Sequence, residues 1–331
     1  MNSSLIFDTN NYPKIHACHA SSLIELPNKD LYATWWAGSY EKARDVSIWG
    51  AKCKHSDEMK WLKPKVTANT PNHFDGTPVL YLDPKSRLYL FYRSMHHGII
   101  IKGGHTVTSI RYQYSDDLGL TWSDWQYLRK LWGRVIRCKP LRLPSGRVLL
   151  PFHRELFTYQ SRFFINDDPF LQHKWKTSQR LKVTGGCLEP NVCLLETGEL
   201  LCSLRTSRAK RVYFSRSNDG GFSWSKPIPS KIPNPSSQTD ILCLNNGNLI
   251  LACNPRVKTA NEKGRSELSL IRSLDNGKTW NISNKFVIEK EEGEEFSYPC
   301  IIQGHDGLIH MSYTFKRKAI KYVSLKENEC F

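Results

Sequence analysis

The chain has 331 residues, enough to bury a large core, and its Lys and Arg exceed its Asp and Glu by 16. Aromatic residues make up 11% of it, with no long stretch of helical period and no apolar run of membrane-spanning length, which argues against a helical bundle or a transmembrane helix and for an all-β protein. The positive balance would draw in anions of any kind, yet basic residues are spread along the whole chain without an arginine-rich tail or RNA-binding signature, so no nucleic-acid partner is expected.

The opening stretch MNSSLIFDTNNYPK has neither a basic start nor an apolar segment of signal-peptide length, so a cytoplasmic chain with no membrane attachment is expected. Ten cysteines are scattered without a C-x-x-C pair or a Cys/His cluster at zinc spacing. Free buried thiols are expected, with no metal or cofactor. Six hairpins of one form, apolar strand, polar turn, apolar strand, then follow in order: SLIELPNKDLYATW (22–35), VLYLDPKSRLYLFYR (79–93), PLRLPSGRVLLPFHR (140–154), VCLLETGELLCSLR (192–205), ILCLNNGNLILACN (241–254) and CIIQGHDGLIHMSYT (300–314). The first apolar residues after the turns, Leu31, Leu88, Val148, Leu200, Leu249 and Ile309, recur every 49 to 60 residues, the size of a four-stranded blade. The fold expected is a six-bladed β-propeller forming a single domain over 1–331.

Between the hairpins a second spelling recurs. Ser115-Asp-Asp117-Leu-Gly119-Leu-Thr121-Trp122, Ser217-Asn-Asp219-Gly-Gly221-Phe-Ser223-Trp224 and Ser273-Leu-Asp275-Asn-Gly277-Lys-Thr279-Trp280 each read Ser-x-Asp-x-Gly-x-Ser/Thr-Trp, with weaker echoes at Asp57/Trp61 and Asp168/Trp175. Asp caps its own turn, Gly takes a positive φ, and Trp is left to plug a neighbouring core. This spelling is the Asp-box, and the chain resembles the sialidase (neuraminidase) superfamily in its BNR-repeat-like branch. Segments 18–52 and 294–323 resemble that branch's opening and closing blades.

Aligning the six hairpins identifies residues at equivalent places. Eleven positions before the markers stand Ala20, with His19 beside it, Arg137, Glu189, Gln238 and Tyr298; in the second hairpin, whose turn is one residue longer, Gly76 follows Asp75. Five positions after the markers stand Trp36, Arg93, His153, Arg205, Asn254 and Thr314. A propeller aims the starts of its inner strands at a central funnel, so a polar pocket is expected there.

The resemblance implies roles for these residues. Tyr298 would be the nucleophile of a retaining, exo-acting glycosidase, with Glu189 the base that takes its proton and Arg205 the anchor of a substrate carboxylate. A neutral phenol approaches an anionic sugar without the repulsion a carboxylate meets, but at a pKa near ~10 it needs a base. A guanidinium holds a carboxylate through two parallel hydrogen bonds. Asp45, in YEKARDVSIW, is the expected acid, and Arg265 a second carboxylate anchor with Arg256 behind it. Arg137, His19, Arg93, His153, Gln238 and Asn254 are expected to line the pocket; His96, His97 and His105 belong to a glycine-rich insertion of the second blade, read either as solvated loop histidines or as an overhang of the pocket.

One departure widens the substrate. Sialidases carry an Arg-Ile-Pro motif on the opening strand, whereas this chain reads His16-Ala-Cys-His19-Ala-Ser, placing His19 where the first of three arginines would stand. The substrate expected is therefore an acidic carbohydrate, sialic acid or a related acidic sugar. A polysaccharide lyase acting on uronate-containing glycans, using His153, His19, Tyr298 and Arg205, is one alternative; a non-catalytic propeller that binds acidic glycans is another.

Overall fold

Each of the six marker residues begins a strand. Leu31–Gly38, Leu88–Ile101, Val148–Arg154, Leu200–Thr206, Leu249–Cys253 and Ile309–Phe315 all start at the residue that closes its turn in the sequence pattern. The computed structural model describes the chain apart from residues 56–59, 102–104, 131–132, 156–158, 209 and 260–263 and the side chains of 97–106.

Six antiparallel sheets follow in chain order. Blade 1 comprises Ala17–Glu25, Leu31–Gly38, Ser47–Cys53 and Lys65–Ala68, and blade 2 comprises His73–Leu82, Leu88–Ile101, His105–Ser115 and Gln126–Arg129. In blade 3 the first strand is broken into Arg134–Ile136 and Leu141–Arg142, both paired with Val148–Arg154, and Gln160–Asn166 and Lys176–Thr177 complete the sheet. Blade 4 runs Cys187–Leu194, Leu200–Thr206, Arg211–Ser217, Ile228–Pro233; blade 5 runs Asp240–Cys243, Leu249–Cys253, Glu267–Ser273, Phe286–Lys290. Blade 6 takes Phe296–Gln303, Ile309–Phe315 and Ala319–Leu325 from the end of the chain and its outermost strand, Asn2–Asp8, from the beginning. The ring is thus a six-bladed β-propeller closed by hydrogen bonds between the two ends of the chain.

Apolar runs form the second strands because both of their faces are covered. Leu31–Gly38 is buried at every position, which explains why LYATWWAG shows no polar alternation. The core is six clusters, one between each pair of adjacent blades. All ten cysteines are free, and nine of them are buried. Among the described residues no helix is long and apolar enough to cross a membrane.

The Asp-boxes close the turns between the third and fourth strands of blades 2, 4 and 5. In blade 4 the Asp219 carboxylate accepts from Ser217 Oγ at 2.8 Å, Ser223 Oγ at 2.5 Å and the amides of Phe222 and Ser223 at 3.0 Å. Gly221 takes φ +91°, and a Cβ there would lie 2.9 Å from Leu149 of the preceding blade. Trp224 stacks on Phe163 of blade 3 with ring centroids 4.7 Å apart, and Trp280 on Phe214 of blade 4 at 5.2 Å. Of the weaker echoes, Asp168 caps its turn through the amides of Phe170 and Gln172. Asp57 lies outside the described residues.

Candidate active site

Four inner strands share a distortion at the place the hairpin alignment singles out. Pairing with the second strand slips between His19 and Ser22, Gly76 and Val79, Leu188 and Asn191, and Ser297 and Cys300. Within each bulge one residue other than glycine takes a left-handed backbone: Ala20 at φ +63°, Thr77 at +48°, Glu189 at +46° and Tyr298 at +57°. Such conformations cost about 1–3 kcal/mol each and persist where the surroundings enforce them. At these bulges Glu189 of blade 4 and Tyr298 of blade 6 come within hydrogen-bonding reach of each other. Period-two alternation carries no signal for them.

Neighbouring blades brace the bulges. The Glu189 amide donates to His153 Nδ1 at 3.3 Å, and His153 Nε2 lies 3.2 Å from Glu155 Oε1, so the imidazole carries its proton on Nε2 toward the carboxylate. The Ala20 amide donates to Thr314 Oγ1 at 3.1 Å. Arg137 donates through Nη2 to the Tyr298 carbonyl at 3.1 Å, with its guanidinium 5.0 Å from the Tyr298 ring centroid.

On this frame Tyr298 Oη donates to Glu189 Oε1 at 3.0 Å. Arg205 Nη1 lies 2.7 Å from Glu189 Oε2 and 2.8 Å from Tyr298 Oη, bridging the two, while Arg205 Nε donates to Ser236 Oγ at 3.2 Å. Burial alone would raise the Glu189 carboxyl; the charge and hydrogen bond of Arg205, with the charge of Arg137, outweigh it and hold the group below the usual carboxylate range. Burial raises the Tyr298 phenol, Arg205 pulls it down and Glu189 pushes it up, leaving it above an ordinary tyrosine. The resting pair is a neutral phenol against an ionised carboxylate.

Beside the pair opens a cavity of about 690 Å³, its lining dominated by Arg205, Arg265, Arg317, Arg208, Lys210 and Lys258. Glu295 is its one acidic side chain among the described residues, accepting from Arg265 Nη1 at 2.9 Å and Arg317 Nε at 3.1 Å. Burial would raise Glu295, but Arg265 and Arg317 bring its carboxyl down to about 2. Ser236, itself left-handed at φ +62°, accepts from Arg205 with its hydroxyl and from Arg265 Nη2 with its carbonyl at 3.1 Å. His19 packs on Tyr298 with ring centroids 4.1 Å apart, and its buried Nδ1 has no partner among the described residues. Burial, then Arg317, Arg265, Arg137 and Arg205, hold its pKa well below the ordinary imidazole value.

A profile of the BNR repeat-like domain matches residues 29–311. The chain belongs to the BNR repeat-like family. No curated protein matches it, but solved structures do. A Hadza microbial sialidase, Hz136, superposes with a TM-score of 0.81 at 14% identity, covering 99% of this chain and 69% of its own. The intramolecular trans-sialidase from Ruminococcus gnavus gives 0.79 at 15% identity, covering 99% and 98%. A protein of unknown function from Dyadobacter fermentans gives 0.80 at 16%, covering 98% of each chain. At these identities the likeness shows the fold.

In this BNR repeat-like protein the sequence-derived candidates divide into groups. Glu189, Arg205 and Tyr298 meet, with His19 and Arg137 packed on the phenol and Arg265 at 5.6 Å from the same ring. Arg256 pairs instead with Glu292 at 2.8 Å. Asn254, expected in the pocket, is a clamp: its Nδ2 donates to the carbonyls of Glu267 and Phe296, both at 2.7 Å, tying blade 5 to blade 6. Gln238, also expected there, is buried and donates to the Thr239 carbonyl at 2.8 Å. Arg93 lies over Phe74 with Glu155 at 4.0 Å, and His153 acts as the brace described above.

Asp45 is exposed on the 39–46 loop, its carboxylate accepting from the Ser39 amide at 3.1 Å and hydroxyl at 2.9 Å. No hydrogen bond joins it to the central pair among the described residues. The same loop sends Glu41 to Arg317 Nη1 at 2.9 Å and packs Ala43 and Val46 into the apolar cluster that holds Tyr298. His96 bonds to His73 and Ser109, while the His97 and His105 side chains lie outside the described residues. Sequence reasoning missed Arg317, Glu295 and Ser236, which sit in connections where hairpin equivalence says nothing. No group of His, Cys, Asp and Glu able to hold a metal occurs among the described residues.

Proposed function

We propose that this protein is a retaining glycoside hydrolase of the sialidase type, removing a terminal acidic sugar. The observation that carries the reading is the 3.0 Å hydrogen bond from the Tyr298 phenol to Glu189, bridged by Arg205 at the edge of a cationic cavity. Glu189 takes the phenol proton as Tyr298 Oη attacks the anomeric carbon, and returns it when water resolves the glycosyl-tyrosine. Arg205 stabilises the phenolate that develops, and Arg265 and Arg317 face the sugar carboxylate. We assign protonation of the leaving oxygen to Asp45, whose loop is fastened beside Tyr298 through Ala43, Val46 and the Glu41–Arg317 pair.

Tyr298→Phe tests the reading. With a fluorogenic acidic glycoside, turnover is expected to fall by at least about 1,000-fold while affinity changes less than about twofold, since the phenol acts in the transition state and not in ground-state binding. Unchanged turnover removes Tyr298 from the mechanism.

A second reading is favoured by one observation, the neutral His19 ring against Tyr298 with its Nδ1 unpartnered. An imidazole and a phenol side by side are a base and an acid for β-elimination from a uronate, with an arginine offsetting the enolate charge. Appearance of an unsaturated-uronate absorbance on incubation with uronate polymers, and its absence in His19→Ala, would replace hydrolysis by elimination.

A further inference from the structure

The cavity holds more positive charge than one sugar carboxylate explains, and the excess is unevenly spent. Arg205 is engaged with Glu189 and Tyr298, and Arg265 and Arg317 share Glu295. Arg208, Lys210 and Lys258 are exposed, line the same cavity from two separate connections, and have no ion pair or side-chain hydrogen bond among the described residues. Elsewhere in the chain this protein pairs its cations readily, as in Arg87–Asp116, Arg147–Asp167 and Lys316–Glu291. Three like charges converging on one concavity repel one another, and an anionic ligand removes that cost. A volume of about 690 Å³ lies in the middle of the range for pockets that take drug-sized ligands, roughly 300–1,000 Å³, and so admits more than one sugar ring.

We infer that Arg208, Lys210 and Lys258 form a second anion subsite, so that the preferred substrate carries negative charge on the residue next to the terminal acidic sugar as well as on that sugar. The inference rests on the glycosidase reading and narrows it to anionic oligosaccharides. Carboxylate and sulfate on the neighbouring residue share the chemistry.

The test compares 3′-sialyllactose, its 6-sulfated derivative and an α-linked N-acetylneuraminic acid dimer, at low and at physiological salt. Wild-type protein is expected to show at least about tenfold higher kcat/KM for one or both doubly anionic substrates over sialyllactose, shrinking as salt rises. The dimer against the sulfated sugar tells carboxylate from sulfate. In Arg208→Ala/Lys210→Ala/Lys258→Ala the preference should fall to within about twofold, whereas Lys63→Ala/Lys226→Ala/Lys278→Ala, exposed lysines outside the cavity, should keep it. Equal kcat/KM for all three substrates in wild type, or a preference that survives the first triple substitution, overturns the inference while leaving the glycosidase reading intact. If none is hydrolysed, the glycosidase reading fails for sialic acid. Calorimetric binding of the same compounds to the Tyr298→Phe protein then decides the subsite: tighter binding of a doubly anionic compound, lost in the triple variant, supports it, and equal or absent binding overturns it.

Discussion

Arg205 does two things that a lysine could not do together. One face of its guanidinium meets both Glu189 Oε2 and Tyr298 Oη through Nη1, and its Nε is fixed on Ser236. Its charge is also what keeps a buried Glu189 ionised against desolvation. The sign of the pH dependence follows. In the proposed reaction Glu189 must be a carboxylate to accept the phenol proton, and its folded pKa lies below the ordinary glutamate value of ~4.3, so the acid limb of kcat/KM belongs below about pH 4. In Arg205→Gln burial is no longer opposed by that charge; the limb should move up by about 1–3 pH units and kcat/KM at neutral pH should fall by at least about 100-fold. A pH–rate profile whose acid limb stays in place would separate Glu189 from the proton transfer. Residue types at this centre were legible because Glu189, Arg205 and Tyr298 occupy hairpin positions the sequence repeats six times. Arg317 was not: it enters from the turn after Ile309–Phe315 with φ +58°, in a connection that the hairpin alignment does not reach.

Hairpins and Asp-boxes are the elements that sequence specifies most strongly, because each is a local hydrogen-bonding solution repeated with the same residues. Asp219 alone satisfies two amides and two hydroxyls of its own turn. Asp219→Ala should therefore cost about 1–2 kcal/mol in urea unfolding. Burial would raise the Asp219 carboxyl, but its bonds to Ser223, Ser217 and Phe222 hold it below the ordinary range. A depressed folded pKa means that this stability is present above the unfolded value of ~3.9 and fades as pH falls toward the folded one, so the difference between wild type and variant should narrow below about pH 4. A difference that persists to pH 2 would contradict the account.

The bulged inner strands show where the same reasoning stopped. Alignment picked out the places where four inner strands bulge but not the direction of each side chain, because the five-after-marker position faces the next blade. There His153 and Thr314 accept bulge amides and Asn254 binds carbonyls, while Arg205 alone of this set bridges Glu189 and Tyr298. Braces and the bridging arginine look alike in one sequence; the partner each finds across the ring distinguishes them.

At the scale of the whole molecule, the phenol of blade 6 meets the carboxylate of blade 4 only if the ring is closed. Closure depends on Asn2–Asp8, where Phe7 stacks on Tyr12 at 4.7 Å and packs on Trp35 and Trp49 of blade 1 at 5.3 and 5.5 Å. Phe7→Ala should destabilise the fold by about 3–5 kcal/mol, read from the denaturant midpoint, a loss below about 1 kcal/mol showing that the outer strand of blade 6 is dispensable. Ring closure was readable from the count of hairpins and the Asp-box spacing, although the strand that performs it carries no motif of its own. The central claim, that closure delivers Tyr298 to the anomeric carbon, is tested most directly by trapping. Incubating the protein with a fluorinated, activated acidic glycosyl fluoride and mapping the adduct by peptide mass spectrometry should place the sugar on Tyr298, with no adduct in Tyr298→Phe; a sugar found on another residue, or on the Phe variant, would contradict it.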